Sequence, residues 1–315
     1  MSTRPGTQAV AAAVAAILLG ESPLIRRLRE QIVRVATHDF AVLIEGETGS
    51  GKELVASCVH TVSGRQGEFV AFNVHAVGES MFDDALFGHV RGAFTGASDS
   101  TPGYLAEANH GTLFLDEIAG LPLAHQAKLL RAIELKVFRP VGGKKNERSD
   151  FRVVGATNVP VRELVATGVL RADLAERLSG MVLNVPPLRS RPDDILLLAR
   201  RFLRATREGE SRDFAADACA LLVAYHWPGN VRQLANIVEA SAALCDDVLI
   251  PASVIATRIP MLSATRVERG SREARRIGET LAAYDTAGGD AVLTDVTPGN
   301  LIQELCWSSS RRADA

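Results

Sequence analysis

Aromatic residues are scarce in this chain, two Trp, three Tyr and eleven Phe among 315 positions, so an aromatic set among glycines calls for a reason other than core packing. Cysteine is scarcer. Cys58, Cys219, Cys245 and Cys306 are scattered with no metal-ligand spacing, which argues against a zinc module or a disulfide-built scaffold and fits reduced thiols of a cytoplasmic protein. An excess of one charge is missing too: 35 Lys and Arg against 37 Asp and Glu leave a net −2. No global field draws the chain to nucleic acid or to an anionic membrane, and any such contact is local. No apolar run reaches the roughly 20 residues that span a bilayer. The nearest is Ala9 to Leu19, an Ala-rich segment after a start with a single Arg, and Gly20-Glu21-Ser22 behind it lacks a small-x-small cleavage site. It reads as a helix packed on the following domain or a frayed terminus, not as a secretory leader. What is present is apolar bulk, 47% of residues, enough for a full core and, at this length, about two domains.

The chain is organised around FAVLIEGETGSGKELVASCVH, residues 40–60. Phe40 to Ile44 is a short apolar run suited to a buried parallel strand. The turn behind it, Gly46-Glu47-Thr48-Gly49-Ser50-Gly51-Lys52, matches G-x-x-x-x-G-K. Glycines let backbone N–H groups close on a β-phosphate, the next helix turns its N-terminus to the anion, and Lys52 reaches the outer phosphate oxygens. Three fixed positions of these types recur by chance roughly 0.1 times in a chain this long, so a plain Gly-rich turn is the weaker reading. Position 53 is Glu where the general motif has Ser or Thr, so Mg²⁺ must be held by other groups or through water.

Phe69 to Val74 reads as a second strand ending in Asn73, a turn former that also lies where α/β sheets build sites. GTLFLDEI, residues 111–118, is an apolar strand that delivers Asp116 and Glu117 at its C-terminal end. One carboxylate suits Mg²⁺ and the other suits orienting a water, as phosphoryl transfer to water requires. LFGHVRGAFTGA, residues 86–97, cannot form a regular element with its three glycines and single aromatic, Phe94. It is either a flexible surface loop or a mobile finger with Phe94 and Thr95 at its tip. Pro122 to Glu134 is a helix with Ala127, Leu130, Ala132 and Ile133 toward the core. Val137 to Asp150 is a hairpin turning at Gly142-Gly143, with KKNER as a solvated face. Phe151 to Ala156 is a buried strand leading to Thr157-Asn158, and Arg171 and Arg177 flank the short helix RADLAERL. Arginines beside an NTP site can act in trans on developing γ-phosphate charge.

Strands near 40, 70, 112, 152 and 182 separated by helices predict a doubly wound parallel sheet over 19–188, after a short apolar segment at 1–18. VPPLRSRPDD breaks the pattern, and helical periodicity over Ile195 to Glu208, Phe214 to Tyr225 and Val231 to Leu244 predicts a small all-α lid at 189–258, with WPGN turning into the helix that carries Arg232. Residues 259–315 are polar, Gly-rich and weakly patterned.

Together these segments resemble the central AAA+ domain of sigma-54-dependent transcription activators, the bacterial enhancer-binding proteins, over roughly Leu19 to Ile255. The most specific element is the family's signature GAFTGA, present letter for letter as Gly92, Ala93, Phe94, Thr95, Gly96 and Ala97. The resemblance implies a P-loop AAA+ fold that uses ATP and Mg²⁺ in a ring, expected to be a hexamer, whose loop contacts sigma-54 in RNA polymerase and remodels the closed promoter complex. It makes Gly46 to Glu53 the Walker A motif, in which Glu after Lys is usual. Asp116 and Glu117 are Walker B, for Mg²⁺ and the hydrolytic water. By the same resemblance Asn73 is the switch partner of the Walker B glutamate, Asn158 belongs to the first sensor, Arg171 and Arg177 are the fingers acting in trans, and Arg232 is the second sensor.

Two positions depart from the family pattern. Ala85 and Val90 stand where Glu usually precedes and follows LFGH, so coupling of nucleotide state to loop movement is expected to be weaker. Residues 1–18, ahead of the ATPase segment, are too few for a receiver or sensory domain, so control is expected to come from elsewhere, such as expression level or a separate inhibitor. The segment 286–305 keeps only a GG and a spacing reminiscent of a helix-turn-helix, so binding to promoter-upstream DNA is left open. The alternative is a weakly catalytic or non-catalytic co-activator that assembles with a DNA-binding activator.

Overall fold

Five short runs of aliphatic and β-branched residues pair into one parallel sheet in the computed structural model, which describes residues 7–207 and 209–259. They are β1 (Val42–Glu45), β2 (Phe69–Asn73), β3 (Thr112–Asp116), β4 (Arg152–Thr157) and β5 (Met181–Asn184), in the order β2-β3-β4-β1-β5. Successive side chains feed two different cores. Leu43, Leu113, Leu115 and Val153 pack on one face, and Val42, Ile44, Phe114 and Val154 on the other, which is why these strands read as unbroken apolar runs. Register lines up the polar ends: Asn73 lies opposite Asp116, and Glu45 opposite Thr157. All stand at the carboxyl edge, where open α/β sheets bind ligands. β1 starts two residues later than its apolar run, because Phe40 is 39% exposed and stacks on His38.

Helices cover both faces. The first, α1 (Thr7–Ile17), buries Val10 and Val14 against the second core, so the Ala-rich segment is a packed helix. Then α2 (Pro23–Ala36) begins with Ser22 as N-cap and Pro23 in the first turn and buries Ile25, Leu28, Ile32 and Val35. Helical spacing alone would put Leu24 on that face with Leu28, Ile32 and Val35, but it is 44% exposed and Ile25 takes its place, since residues 25, 28, 32 and 35 share one side of a 3.6-residue period. α3 (Lys52–Ser63) follows the glycine turn, and α4 (Phe82–Phe87) precedes the finger. In α5 (Leu123–Leu135) the buried residues are Gln126, Leu129, Ala132 and Ile133, while Ala127 is exposed. Gln126 causes the shift: its Nε2 donates to Leu121 O at 2.9 Å and Val169 O at 2.8 Å, so a polar side chain takes a core position. α6 (Ala172–Leu178) leads to β5.

Arg152, 1% exposed at the start of β4, donates to Val35 O at 2.8 Å, Ala36 O at 3.0 Å and Phe40 O at 3.2 Å. It caps the carboxyl end of α2. Burial pushes its guanidinium down to about 10, still charged at neutral pH. Arg152→Ala is expected to cost about 3–5 kcal/mol, seen as a lower urea midpoint at unchanged m. An unchanged midpoint would show that water replaces the guanidinium.

The lid is built on α7 (Pro192–Ala205), α8 (Ala216–Ala224) and α9 (Asn230–Leu244), packed around Leu188, Leu198, Trp227, Leu234 and Val238. It is helical but not all-α, since Asp213–Phe214, expected in part to open a helix, pairs in parallel with Leu249–Ile250 ahead of the short helix Ala252–Ala256. Trp227 is wholly buried, its Nε1–H bonded to Leu222 O at 2.8 Å. Asp194, on the first turn of α7, is equally buried and takes Ser22 Oγ–H at 2.6 Å and Ser22 N–H at 2.9 Å, tying the start of α2 to the lid. No helix among the described residues is long and apolar enough to cross a membrane. The helix-turn-helix reading of 286–305 lies outside the described residues.

Candidate functional site

The turn between β1 and α3 is shaped for an anion. Gly49 (φ +75°) and Gly51 (φ +106°) adopt left-handed backbone that disfavours a side chain. A Cβ on Gly49 would lie 2.4 Å from Gly229 O, whereas at Gly51 it would meet nothing within 4 Å, so one glycine is needed for close packing and the other borders open space. The backbone N–H groups of Gly49, Gly51, Lys52 and Glu53 donate to no acceptor among the described residues. Buried Lys52 extends Nζ to Gly46 O at 3.0 Å and to Glu117 Oε1 at 3.5 Å. Free donors, a lysine and room fit a phosphate chain.

Asp116 ends β3 and Glu117 follows it in left-handed backbone, φ +55°. Burial and then the charge of Glu117 raise the Asp116 pKa, with Lys52 opposing and Glu53 adding to the rise. Such a carboxyl fits a divalent cation. Among the described residues no group of three or more His, Cys, Asp or Glu could hold a metal ion.

The other expected site residues divide into those the fold gathers and those it leaves apart. Asn158 Nδ2 reaches Thr48 Oγ1 at 3.4 Å, so the end of β4 touches the cradle. Asn73 is in register with Asp116, but its Oδ1 accepts His75 N–H at 2.9 Å. Among the described residues it makes no hydrogen bond to Glu117, which pairs with Lys52 instead. Arg171, at the N-cap of α6, and Arg177, in its last turn, are both exposed. Arg171 pairs with Asp173 at 2.8 Å and takes its backbone position from Gln126 Oε1 at 2.9 Å. Neither arginine bonds the cradle or the Asp116-Glu117 pair of its own chain among the described residues.

What sequence reasoning missed is the grip of the lid on residues 47–50. Glu47 turns away from the cradle to a two-pronged pairing with Arg189, 2.7 and 2.5 Å, and accepts from Asn230 Nδ2 at 3.1 Å. Hydrogen bonding to Arg189 and Asn230 outweighs burial and holds the carboxyl at about 2. Asn230 Nδ2 also donates to Thr48 O at 3.1 Å, Arg232 N–H to Gly49 O at 3.2 Å and Arg191 Nη2 to Ser50 O at 3.3 Å. Thus Glu47 joins the cradle through its backbone only, and Arg232 is shown touching it through its own N–H. Arginines in the Pro-rich stretch and the Asn of WPGN were the available signals.

Away from the cradle, Gly88–His89 pairs antiparallel with Thr101–Pro102, so the finger has a regular base that its glycine content did not suggest. Between these strands Gly92 N–H bonds Ala97 O at 2.9 Å and Ala97 N–H bonds Phe94 O at 3.0 Å. Phe94 is 42% exposed and meets His89 edge-on, centroids 5.0 Å apart, while His89 Nδ1 lies 2.5 Å from Asp84 Oδ1. Thr95 is exposed. The expected hairpin is present, Val137–Phe138 against Glu147–Arg148, and it backs the finger: Val90 N–H bonds Val141 O at 3.1 Å and Val141 N–H bonds Gly88 O at 2.8 Å.

Residues 18–184 match the Sigma-54 interaction domain family, and 189–270 the AAA+ ATPase lid domain family. The chain belongs to the sigma-54-dependent activator family. It is 42% identical over 260 residues to the transcriptional regulator VasH of Vibrio cholerae, covering 81% of this chain and 49% of VasH. It is 44% identical over 257 residues to the sigma54-dependent transcriptional activator SfnR of Pseudomonas putida, covering 80% of this chain and 69% of SfnR. This sigma-54 activator chain thus spans about half to two thirds of the curated relatives it matches. Among solved structures it is similar to NtrX from Brucella abortus in complex with ATP, with TM-score 0.71 and 35% identity over 84% of this chain and 61% of that one. NtrX in complex with ADP gives TM-score 0.71 and 33% identity over 82% of this chain and 60% of that one. Beside the cradle of this activator chain runs a cleft of about 620 Å³, floored by Leu24, Leu28 and Val185 and edged by Glu45, Glu47 and Asn158, the mixture of apolar floor and few polar groups common in small-molecule sites.

Proposed function

We propose that the chain hydrolyses ATP in a cytoplasmic ring of its own copies and uses the cycle to move the GAFTGA finger against sigma-54, opening the promoter complex held by RNA polymerase. The observation that carries this is the Lys52–Glu117 pair at 3.5 Å, set between free backbone donors and Asp116. A triphosphate would compete for Lys52 and leave Glu117 free to orient a water and take its proton. Asp116 would hold Mg²⁺, which when bound neutralises phosphate charge. Asn73, one strand away, would receive Glu117 between turnovers on giving up the His75 N–H. Arg171 and Arg177, unused in their own site, are available to the adjoining subunit's γ-phosphate. An intact Lys52, Asp116 and Glu117 set favours this over a non-catalytic co-activator.

The test is the ATPase rate per subunit against protein concentration, together with open-complex formation on a sigma-54 promoter. A site completed by a neighbour predicts a per-subunit rate that climbs steeply on assembly, and promoter opening with ATP but not with a non-hydrolysable analogue. A rate strictly proportional to protein at all concentrations would overturn the shared site. Loosening the lid has its own signature. Arg189→Met is expected to raise the KM for ATP about threefold with little change in thermal midpoint, because an exposed ion pair contributes only about 0–1 kcal/mol. A KM within twofold of the parent would count against the lid as the support of residues 47–50.

A further inference from the structure

We propose that the 137–148 hairpin and the finger form one cationic face that binds the phosphate backbone of duplex DNA beside the point reached by the finger tip. The inference rests on the finger reading given above and extends it to a second partner. The hairpin's charged run was expected to be merely solvated, but its turn is built into the finger. Besides the two backbone bonds through Val141, Gly142 sits at φ +72°, and a Cβ there would come within 2.8 Å of Ala93 Cβ. The two segments therefore present their charges together. Residues 88–102 and 137–148 hold five cations, Arg91, Arg139, Lys144, Lys145 and Arg148, against two carboxylates, Asp99 and Glu147. In a chain of net charge −2, this leaves the remainder acidic. All five cations are exposed, and among the described residues none makes a salt bridge within 4.0 Å; Arg139 alone is engaged, through Asn146 at 3.0 Å.

The chemistry favours phosphate over a folded protein. Interfaces between folded proteins centre on apolar or aromatic anchors, and Gly142 to Arg148 offers none. Lys144 and Lys145 are point charges on flexible stems, with no pocket and no recognition helix to read base edges, so the contact is to backbone and independent of sequence. Such contacts are local, consistent with the acidic balance of the whole chain, and disappear steeply with salt.

The experiment is fluorescence anisotropy of a duplex of about 30 bp titrated with the full chain between about 50 and 200 mM salt. Lys144→Ala with Lys145→Ala is expected to weaken binding about tenfold at the lower salt and to reduce the log–log salt slope by about one to two. The ATPase rate should not change, and Lys144→Arg with Lys145→Arg should retain the slope. An identical slope in the Ala pair and the parent overturns the proposal, as does loss of affinity for sigma-54 protein in the absence of DNA, which would make the face a protein contact. Thr95→Ala separates the two readings. It should keep the parent's DNA slope, so failure of the finger reading shows in promoter opening and failure of the DNA face shows in the slope.

Discussion

Glu117→Ala is expected to reduce ATP turnover about 10²–10⁴-fold while leaving ATP affinity within about threefold of the parent. The expectation follows from which atoms the carboxylate touches. Glu117 lies on the sheet edge in left-handed backbone and pairs only with Lys52 among the described residues. In the proposed site the backbone N–H groups of the cradle and Lys52 would bear on the phosphates, and Lys52 keeps its bond to Gly46 O without Glu117. Removing the carboxylate even relieves Lys52 of a competing partner, so nucleotide is held at least as well. On the proposed mechanism, what would be lost is the group that positions and deprotonates water, an interaction made in the transition state. Single-turnover kinetics beside equilibrium binding of a fluorescent ATP analogue would measure both. A variant that retained turnover would remove Glu117 from the chemistry, and one that lost binding would show that its role is structural.

Thr95→Ala is expected to abolish open-complex formation, a loss of at least about 30-fold if the tip is a binding hot spot of about 2 kcal/mol or more, with the ATPase rate within twofold of the parent. The finger's internal bonds join Gly92 to Ala97 and Ala97 to Phe94 through backbone atoms. Thr95 contributes no side-chain hydrogen bond to them among the described residues, so the substitution should leave the finger's shape intact. Phe94→Ala should act in the same direction. It would also vacate the edge-on contact with His89, so Thr95 is the cleaner probe. Retention of promoter opening by Thr95→Ala, measured by permanganate reactivity of the melted strand, would mean that the finger is not what touches sigma-54.

The sheet and the phosphate cradle were legible from the sequence because each rests on local rules. A continuous apolar run such as Leu113–Leu115 signals a strand covered on both faces, and Gly49 and Gly51 announce backbone that needs them. The lid's three longer helices were legible for the same reason, through a 3.6-residue period, though not the strand that takes Phe214. Errors arose where one residue's position depends on a distant partner. Gln126 replaced an apolar side chain in α5 because Leu121 and Val169 supply carbonyls to it, and Glu47 left the cradle because Arg189 and Asn230, some 140 and 180 positions away, draw it to the lid. Asn73 shows the same limit: the strand end was read correctly, but its side chain is held by the N–H two residues on. The finger's regular base escaped notice because two-residue strands carry no periodicity.

Four consecutive residues, 47 to 50, are each fastened to the helical subdomain or the segment leading into it, by Arg189, Asn230, Arg232 and Arg191. A swing about Pro186-Pro187 that left the glycine turn untouched would have to break all of these tethers at once. Small rotations therefore carry the turn along, and a nucleotide seated there would ride with both subdomains as one body. In the proposed ring, large displacements would then fall to the seam between one copy and the next.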